Sequence, residues 1–508
     1  MSVEKISRPT FGTEGVPLTA EQMEARATWM LEHGNWRGDH YSPSAGAHYN
    51  GYLFRWDETK GMVINARRDD PDRAALEMRT LLSHEDANTG FISNKIFATV
   101  PRKVLWDYPE ALYFNDNKKG TSYAQPPLEA WAALEIFESY QRLDRDAEGL
   151  AFLYSVYGSA EENHYTGLQG SYAYFQTHRQ NNADDPLIGI VHPNETGRDS
   201  DQANQPWLVN RDGTPGVVRQ WLQMQRLGWQ LGKLGSDPNG ERIDWIPSEA
   251  LRERYWINDV MFNCLYARNL RTMADIADIL HDAVPVAASQ SRYARDSEQY
   301  RRLATAVEAE ILDRMWDSRE GFFYNLDKDG SKIPVESATG LFPLLLEHIT
   351  LEQYAALLDK LEDPTWFATP YPIPTHATRS RFFQAKPSRL KTQLIPPWHR
   401  YVWVDLNRFI VDDGIAPRAV SMVETHPLLA ERSLVIGSHI VSKTTELLAK
   451  NEHVHECYSH ETGEGLRVKD FMWSLIGHHF ETFFAAERLI RMHPSVAAVG
   501  LSKEARRP

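Results

Sequence analysis

Apolar residues return every three to four positions along most of this chain, a spacing that commits it to helices before any other feature is weighed. Thr19 with Gln22 forms a capping box, and Met23, Ala27, Met30 and Leu31 then mark one apolar face. The pattern runs from Trp256 to Leu280 through Val260, Met273, Ile276 and Leu280, and again through Tyr300, Leu303, Val307 and Ile311. Thr350 with Gln353 opens a further capped helix, and Phe471 to Ile490 reads as one long apolar-rich helix. Strand signals are few, Gly321 to Tyr324 being a short candidate. Between helices lie long polar stretches: Asn181 to Gly216, rich in Asn, Asp, Pro and Gly, and Phe367 to Pro397, with repeated prolines. Loops of that length inside a compact domain usually carry function. No Gly/Ser linker, low-complexity tract or literal repeat divides the chain. The expectation is an all-α fold, a single toroid of helical hairpins whose long loops form a pocket. Periodicity alone does not separate that from another helical architecture.

Charge and cysteine content exclude several function classes. The net charge is −14, and no basic stripe is present of the kind that displaces counterions from nucleic acid. No stretch reaches the roughly 20 apolar residues that span a bilayer. Met1 to Gly12 has no apolar centre and does not read as a secretory signal. With two cysteines, Cys264 and Cys457, there is no disulfide framework, which suits a reducing compartment. A soluble, cytoplasmic protein without nucleic-acid or membrane partners is expected; assembly into a homo-oligomer is left open. The 15 Trp, 21 Tyr and 20 Phe offer flat apolar faces for a neutral sugar, although most aromatic rings in a protein are core.

Two loop segments could supply the pair of carboxyl groups that glycosidic-bond hydrolysis requires. One is His192-Pro193-Asn194-Glu195-Thr196-Gly197-Arg198-Asp199-Ser200-Asp201; the other runs from His455-Glu456-Cys457-Tyr458 to Gly465. As physics alone these are weak signals, since Asp and Glu are common in any solvated loop. His453, His455, Cys457 and His460 are close enough in sequence to suggest zinc, but alternate residues of an extended segment point to opposite faces. Asn325 to Glu336 nearly fits a calcium loop, yet it lacks flanking helices and carries Pro334, so a tight turn is expected and no metal is assigned.

The same segments resemble signatures of glycoside hydrolase family 63, in its compact branch of glucosylglycerate and mannosylglycerate hydrolases. The first is similar to that family's His-Pro-Trp-Glu-Ser/Thr-Gly-Arg-Asp, whose last Asp is the general acid. The second is similar to Glu-Tyr-Tyr-x-Pro-x-Thr-Gly, whose Glu is the general base, followed by Phe-x-Trp-Ser, here Phe471-Met472-Trp473-Ser474. In matching order come Phe54-Arg55-Trp56-Asp57, Ala124-Gln125-Pro126-Pro127, Trp316-Asp317 through Tyr324, Glu336-Ser337-Ala338-Thr339-Gly340, and Trp403-Val404-Asp405-Leu406-Asn407. The likeness runs from about Tyr49 to about Ile490.

The resemblance implies an (α/α)6 barrel occupying residues 1–508 as a single catalytic domain, with 1–18 and 495–508 as peripheral arms. It implies an inverting hydrolase of a small α-glucoside or α-mannoside, working without a cofactor. Asp199 then protonates the leaving oxygen and Glu456 activates water, with the carboxyl groups ~6.5–9.5 Å apart. Glu195 and Asp201 are the neighbours expected to keep Asp199 protonated. Trp56, Asp57, Gln125, Glu195, Arg198, Tyr401, Trp403, Asn407, Tyr458 and Trp473 are expected to hold the sugar. Departures bear on the substrate rather than on the catalytic pair: Asn194 replaces a Trp, Phe54 replaces a Trp, and Trp398-His399-Arg400-Tyr401 stands for Trp-Arg-Gly-Pro, a relocated Arg and a new Tyr that would alter which aglycone is accepted. Ser459-His460 stands where x-Pro is usual. Sugar epimerases, isomerases and lyases on similar barrels, and a glycan-binding homologue without turnover, are the rival readings. An isomeric or unsaturated product would mark the enzymes among them, and stabilisation by glycosides without hydrolysis would mark the last.

Overall fold

Capping chemistry that is visible in the sequence starts several of the helices. In the computed structural model, the Thr19 hydroxyl accepts the Gln22 N–H and the Gln22 side chain accepts the Thr19 N–H; Thr350 and Gln353 repeat the arrangement. Residues 7–13, 15–44, 49, 52–96, 120–161, 164–198, 201–208, 217–234, 248–283, 287–383 and 401–493 are described. The longer helices are α1 (Ala20–Trp29), α2 (Arg55–Arg67), α3 (Pro71–Leu82), α4 (Glu129–Arg142), α5 (Asp146–Tyr157), α6 (Gly167–His178), α7 (Val217–Leu234), α8 (Val260–Ala283), α9 (Ala287–Glu310), α10 (Leu351–Glu362), α11 (Ala416–Met422), α12 (Pro427–Lys450) and α13 (Glu481–Met492).

These pack as an (α/α)6 barrel. Neighbour contacts pass from α2 to α4, from α4 to α8, and from α8 to the 3-10 segment Ala338–Leu345. They continue through Phe409–Ile415 and Val404–Arg408 to the 3-10 segment Met472–His478, and return to α2, closing the inner ring. Helices α3, α5 and α9 pack outside the inner helices that precede them. Ahead of α1, Arg8 pairs with Glu452 and Asp470, which ties this edge of the chain to the body.

Helix α2 is buried from Arg55 to Ala66 although half of that run is charged or polar. Burying a charge is costly unless it is paired, and the partners are present. Arg55 reaches Glu129 and the Ser171 hydroxyl and Lys60 reaches Asp405, while Glu58 accepts the Tyr41 N–H and burial pushes its carboxyl well above the usual range, toward the neutral form.

Three expectations change. The helix expected from Trp256 starts at Val260, because the Asp259 carboxylate accepts the Phe262 N–H and so caps it there; Ile257 and Asn258 instead bridge to Ile190 and Leu326. Phe471 to Ile490 is not one helix. A 3-10 segment ends at His478, the chain turns at His479 and Phe480, and α13 begins at Glu481. Tight packing accompanies that break: a Cβ at Gly477 would lie 3.0 Å from Val404 Cβ. Finally, the polar stretch from Asn181 is not all loop, since Gln180–Asn182 pairs with Asp185–Ile188 and Pro193–Thr196 forms a 3-10 turn.

Phe322–Phe323, within the predicted strand, pairs with Trp316–Asp317. The Asp327 carboxylate accepts the N–H groups of Asp329 and Ser331, making the tight turn expected there. Strand β1 (Leu53–Phe54) pairs antiparallel with β2 (Lys95–Ile96) just before α2. Strands β3 (Tyr401–Val402), β4 (His455–Ser459) and β5 (Gly465–Lys469) form a three-stranded sheet with β4 in the middle.

Candidate active site

The sugar-binding candidates meet where α2 begins. The short β1–β2 ladder delivers the chain to α2, and the Trp56 N–H, left without a partner in the first turn, donates to Gln125 Oε1 at 2.7 Å. Gln125 therefore caps α2 while its side chain lines the hollow in front of it. That hollow measures about 530 Å³ out to the solvent at its mouth. Its described wall includes Trp56, Asp57, Gln125, Trp403, Glu456 and Trp473 from the predicted set, and also Tyr49, Phe54, Asn94, Asn194, Gly197 and Phe471.

Aromatic rings make the wall rigid. Trp403 and Trp473 stack with centroids 5.5 Å apart and planes 19° apart. The Lys60 ammonium stands 3.6 Å from the centre of Trp56 and 3.5 Å from that of Trp473, and donates to Asp405 Oδ2 at 2.7 Å. Burial pushes this ammonium down to about 8, against the pull of Asp405. Tyr49 packs edge-on against Phe54 and tilted against Phe471.

Glu456 lies on β4 and its two oxygens differ. Oε1 is 3.1 Å from the Arg467 guanidinium and 3.5 Å from the Tyr49 hydroxyl, which donates to it. Oε2 is buried and has no hydrogen-bond partner among the described residues. A buried carboxylate oxygen without a partner, on a residue that lines a pocket, is suited to receive a hydrogen bond from a ligand or water.

The remaining predicted residues stand elsewhere. Glu195 is wholly buried, forms a two-pronged pair with Arg179 (2.9 Å for each bond), and accepts the N–H groups of Ala124 at 2.7 Å and Val191 at 2.6 Å. Through the Ala124 N–H it fixes from behind the irregular segment that carries Gln125. Arg198 pairs with Asp201 and donates to Asp259 at 3.1 Å and Ser337 at 3.2 Å. Burial opposes ionisation of Asp201, but Arg198 and His376 hold its carboxyl well below the usual range. Asn407 accepts the Ile373 N–H and donates to the Pro372 carbonyl and the Thr444 hydroxyl. Tyr458 is buried with its hydroxyl accepting the His455 N–H at 2.9 Å. Tyr401 pairs with Ser459 and is not among the described lining residues. Asp199 and the Trp398-to-Arg400 segment lie outside the described residues.

Lys60, Asn94 and Arg467 went unselected in the sequence. Lys60 carried a faint signal, a cation four residues after Trp56 on one helix; Asn94 and Arg467 carried none. Among the described residues, no group of three His, Cys, Asp or Glu side chains could hold a metal, and no helix is long and apolar enough to cross a membrane. His453 pairs with Asp470, and Cys457 is fully buried.

Comparisons with known proteins bear on the fold and the family. The crystal structure of GH63 mannosylglycerate hydrolase from Thermus thermophilus in complex with Tris and D-glycerate superposes with a TM-score of 0.66 at 19% identity, covering 91% of this chain and 100% of that one. The same enzyme in complex with glucose gives 0.66 at 20% identity over the same shares. At these identities the likeness shows the fold. An uncharacterized protein of Borreliella burgdorferi is 27% identical over 114 residues, so the match spans 22% of either chain. Residues 51–474 match the family described as mannosylglycerate hydrolase MGH1-like glycoside hydrolase domain, and the chain belongs to that family of glycoside hydrolases.

Proposed function

We propose that this protein is an inverting α-glycosidase acting on a small α-glucoside or α-mannoside whose aglycone is glycerate or a similar short polyol acid. The observation that carries the reading is the asymmetry of Glu456, a residue that lines a hollow walled by indole rings and amides: one oxygen is held by Arg467 and Tyr49, and the other is buried without a described partner. Water bound at Oε2 attacks the anomeric carbon and gives its proton to Glu456, while the bond to the leaving oxygen breaks and that oxygen takes the proton of Asp199. Trp56, Trp403 and Trp473 supply faces for the sugar ring, and Asp57 and Gln125 supply hydrogen bonds. The solved relative's complex with D-glycerate supports the choice of aglycone. The reading takes residues 1–508 as one catalytic domain in the cytoplasm, with no cofactor.

The test is a screen for released sugar over α-glucosides and α-mannosides, including 2-O-α-mannosylglycerate, with wild type, Asp199→Asn and Glu456→Gln. NMR of the first-formed product should show the β-anomer. Loss of one carboxyl group from an acid–base pair is expected to lower kcat by about 10²–10⁴-fold. Wild-type turnover in either variant removes that residue from its role, and a first-formed α-anomer removes inversion.

A further inference from the structure

We infer that Arg467 is a positioning residue for the hydrolytic step: a bulge in β5 aims its guanidinium at one oxygen of Glu456 and thereby reserves the other for water. The inference rests on Glu456 as the base.

The register between β4 and β5 pairs His455 with Lys469 but Cys457 with Leu466. One residue of β4, Glu456, is therefore matched against two of β5, Arg467 and Val468. Bulges bend a strand and redirect a side chain. Arg467 itself has φ 62°, a conformation that disfavours residues with a Cβ. Glycine would meet the backbone requirement alone. An arginine at this position instead brings Nη1 to 3.1 Å from Glu456 Oε1, on the side where Tyr49 also donates.

The arrangement has two effects. Orientation comes first: with Oε1 engaged, the carboxylate cannot rotate freely, and the lone pairs of Oε2 stay clear of every described side chain. The second is charge, because a neighbouring cation favours the ionised form that can accept a proton. The planar guanidinium fork also fixes the direction of the contact, which a lysine ammonium on a flexible stem does not. Other titratable groups near Glu456 are the Tyr49 hydroxyl from the segment before β1, the Cys457 thiol beside it, Asp57 from α2 on the same wall, and His455 and Lys469 one register step along the sheet.

The experiment uses the full chain with Arg467→Gly, Arg467→Lys and Glu456→Gln. Glycine preserves the positive φ, so Arg467→Gly is expected to fold, and thermal melting beside wild type separates the kinetic effect from misfolding. The Glu456 carboxyl is followed by 13C NMR, its resonance assigned by absence in Glu456→Gln. Its resonance at neutral pH should move in Arg467→Gly and move less in Arg467→Lys. With 2-O-α-mannosylglycerate as substrate, kcat of Arg467→Gly should fall about tenfold or more with KM within about twofold, and the acid limb of the pH–rate profile should move upward. Arg467→Lys should recover part of both. An unmoved resonance in Arg467→Gly, or wild-type kcat with an unmoved acid limb, overturns the positioning role. If wild type does not hydrolyse the substrate, the proposed activity fails, while the NMR arm still decides whether Arg467 governs Glu456.

Discussion

An ammonium group enclosed by two indoles and one carboxylate is held by charge as much as by packing, and Lys60 is placed in this way between Trp56 and Trp473. Lys60→Met leaves Asp405 buried without its cation and is expected to cost about 3–5 kcal/mol in urea unfolding. Lys60→Met/Asp405→Leu should recover most of that loss while KM stays raised, because the rings lose the cation between them; a wild-type KM in the double variant would remove Lys60 from the pocket's architecture. At this scale the sequence was partly legible. Trp56, Asp57, Gln125, Trp403, Glu456 and Trp473 sit in ordered motifs and come together on one hollow. Glu195, Arg198, Asn407 and Tyr458 sit in the same motifs, yet their polar atoms are engaged behind the wall. A motif records that residues matter together. It does not record which face a side chain takes, and that depends on partners such as Arg179 and Asp259 that no local pattern reveals.

Among the elements, α2 was the least legible. A helix buried on every side has no apolar stripe, and its Arg, Asp, Glu and Lys read as solvent-facing until their partners are known. Capped helices were easier, because a capping box is a local device. The 3-10 turn Pro193–Thr196 shows how an element can tune the site. It ends at Gly197, whose φ is +70° and whose missing Cβ would lie 3.3 Å from Trp56 Nε1. Gly197→Ala is expected to cost about 1 kcal/mol through the positive φ and to push the Trp56 ring, raising KM several-fold with kcat less affected. Steady-state kinetics beside thermal melting checks both, and an unchanged KM would show that the ring yields without consequence.

For the whole molecule, ring closure joins segments as distant in sequence as α2 and Met472–His478, and packing at that range cannot be read from periodicity. The toroid expected from the sequence is present, but several inner positions are 3-10 or irregular rather than regular helix. Global stability carries a pH signature from Glu85, wedged between the end of α3 and the first turn of α6, where it accepts the Gly167 N–H at 2.5 Å. Burial raises its carboxyl from 4.5 to about 8. The folded state then holds a proton that the unfolded chain releases. This contribution is complete below pH 4.5 and is lost as pH rises toward 8, by up to about 1.4 kcal/mol per pH unit. Urea midpoints at pH 5 and pH 8 should differ less in Glu85→Gln than in wild type; equal differences would remove Glu85 as the source. The enclosure of α2 also bears on redesign. Its residues answer to the whole ring, so Trp56 and Asp57 cannot be exchanged without disturbing the scaffold, whereas Phe54, Asn94 and Asn194 border the same hollow from outside that helix. A library seeking new leaving groups belongs at those three positions.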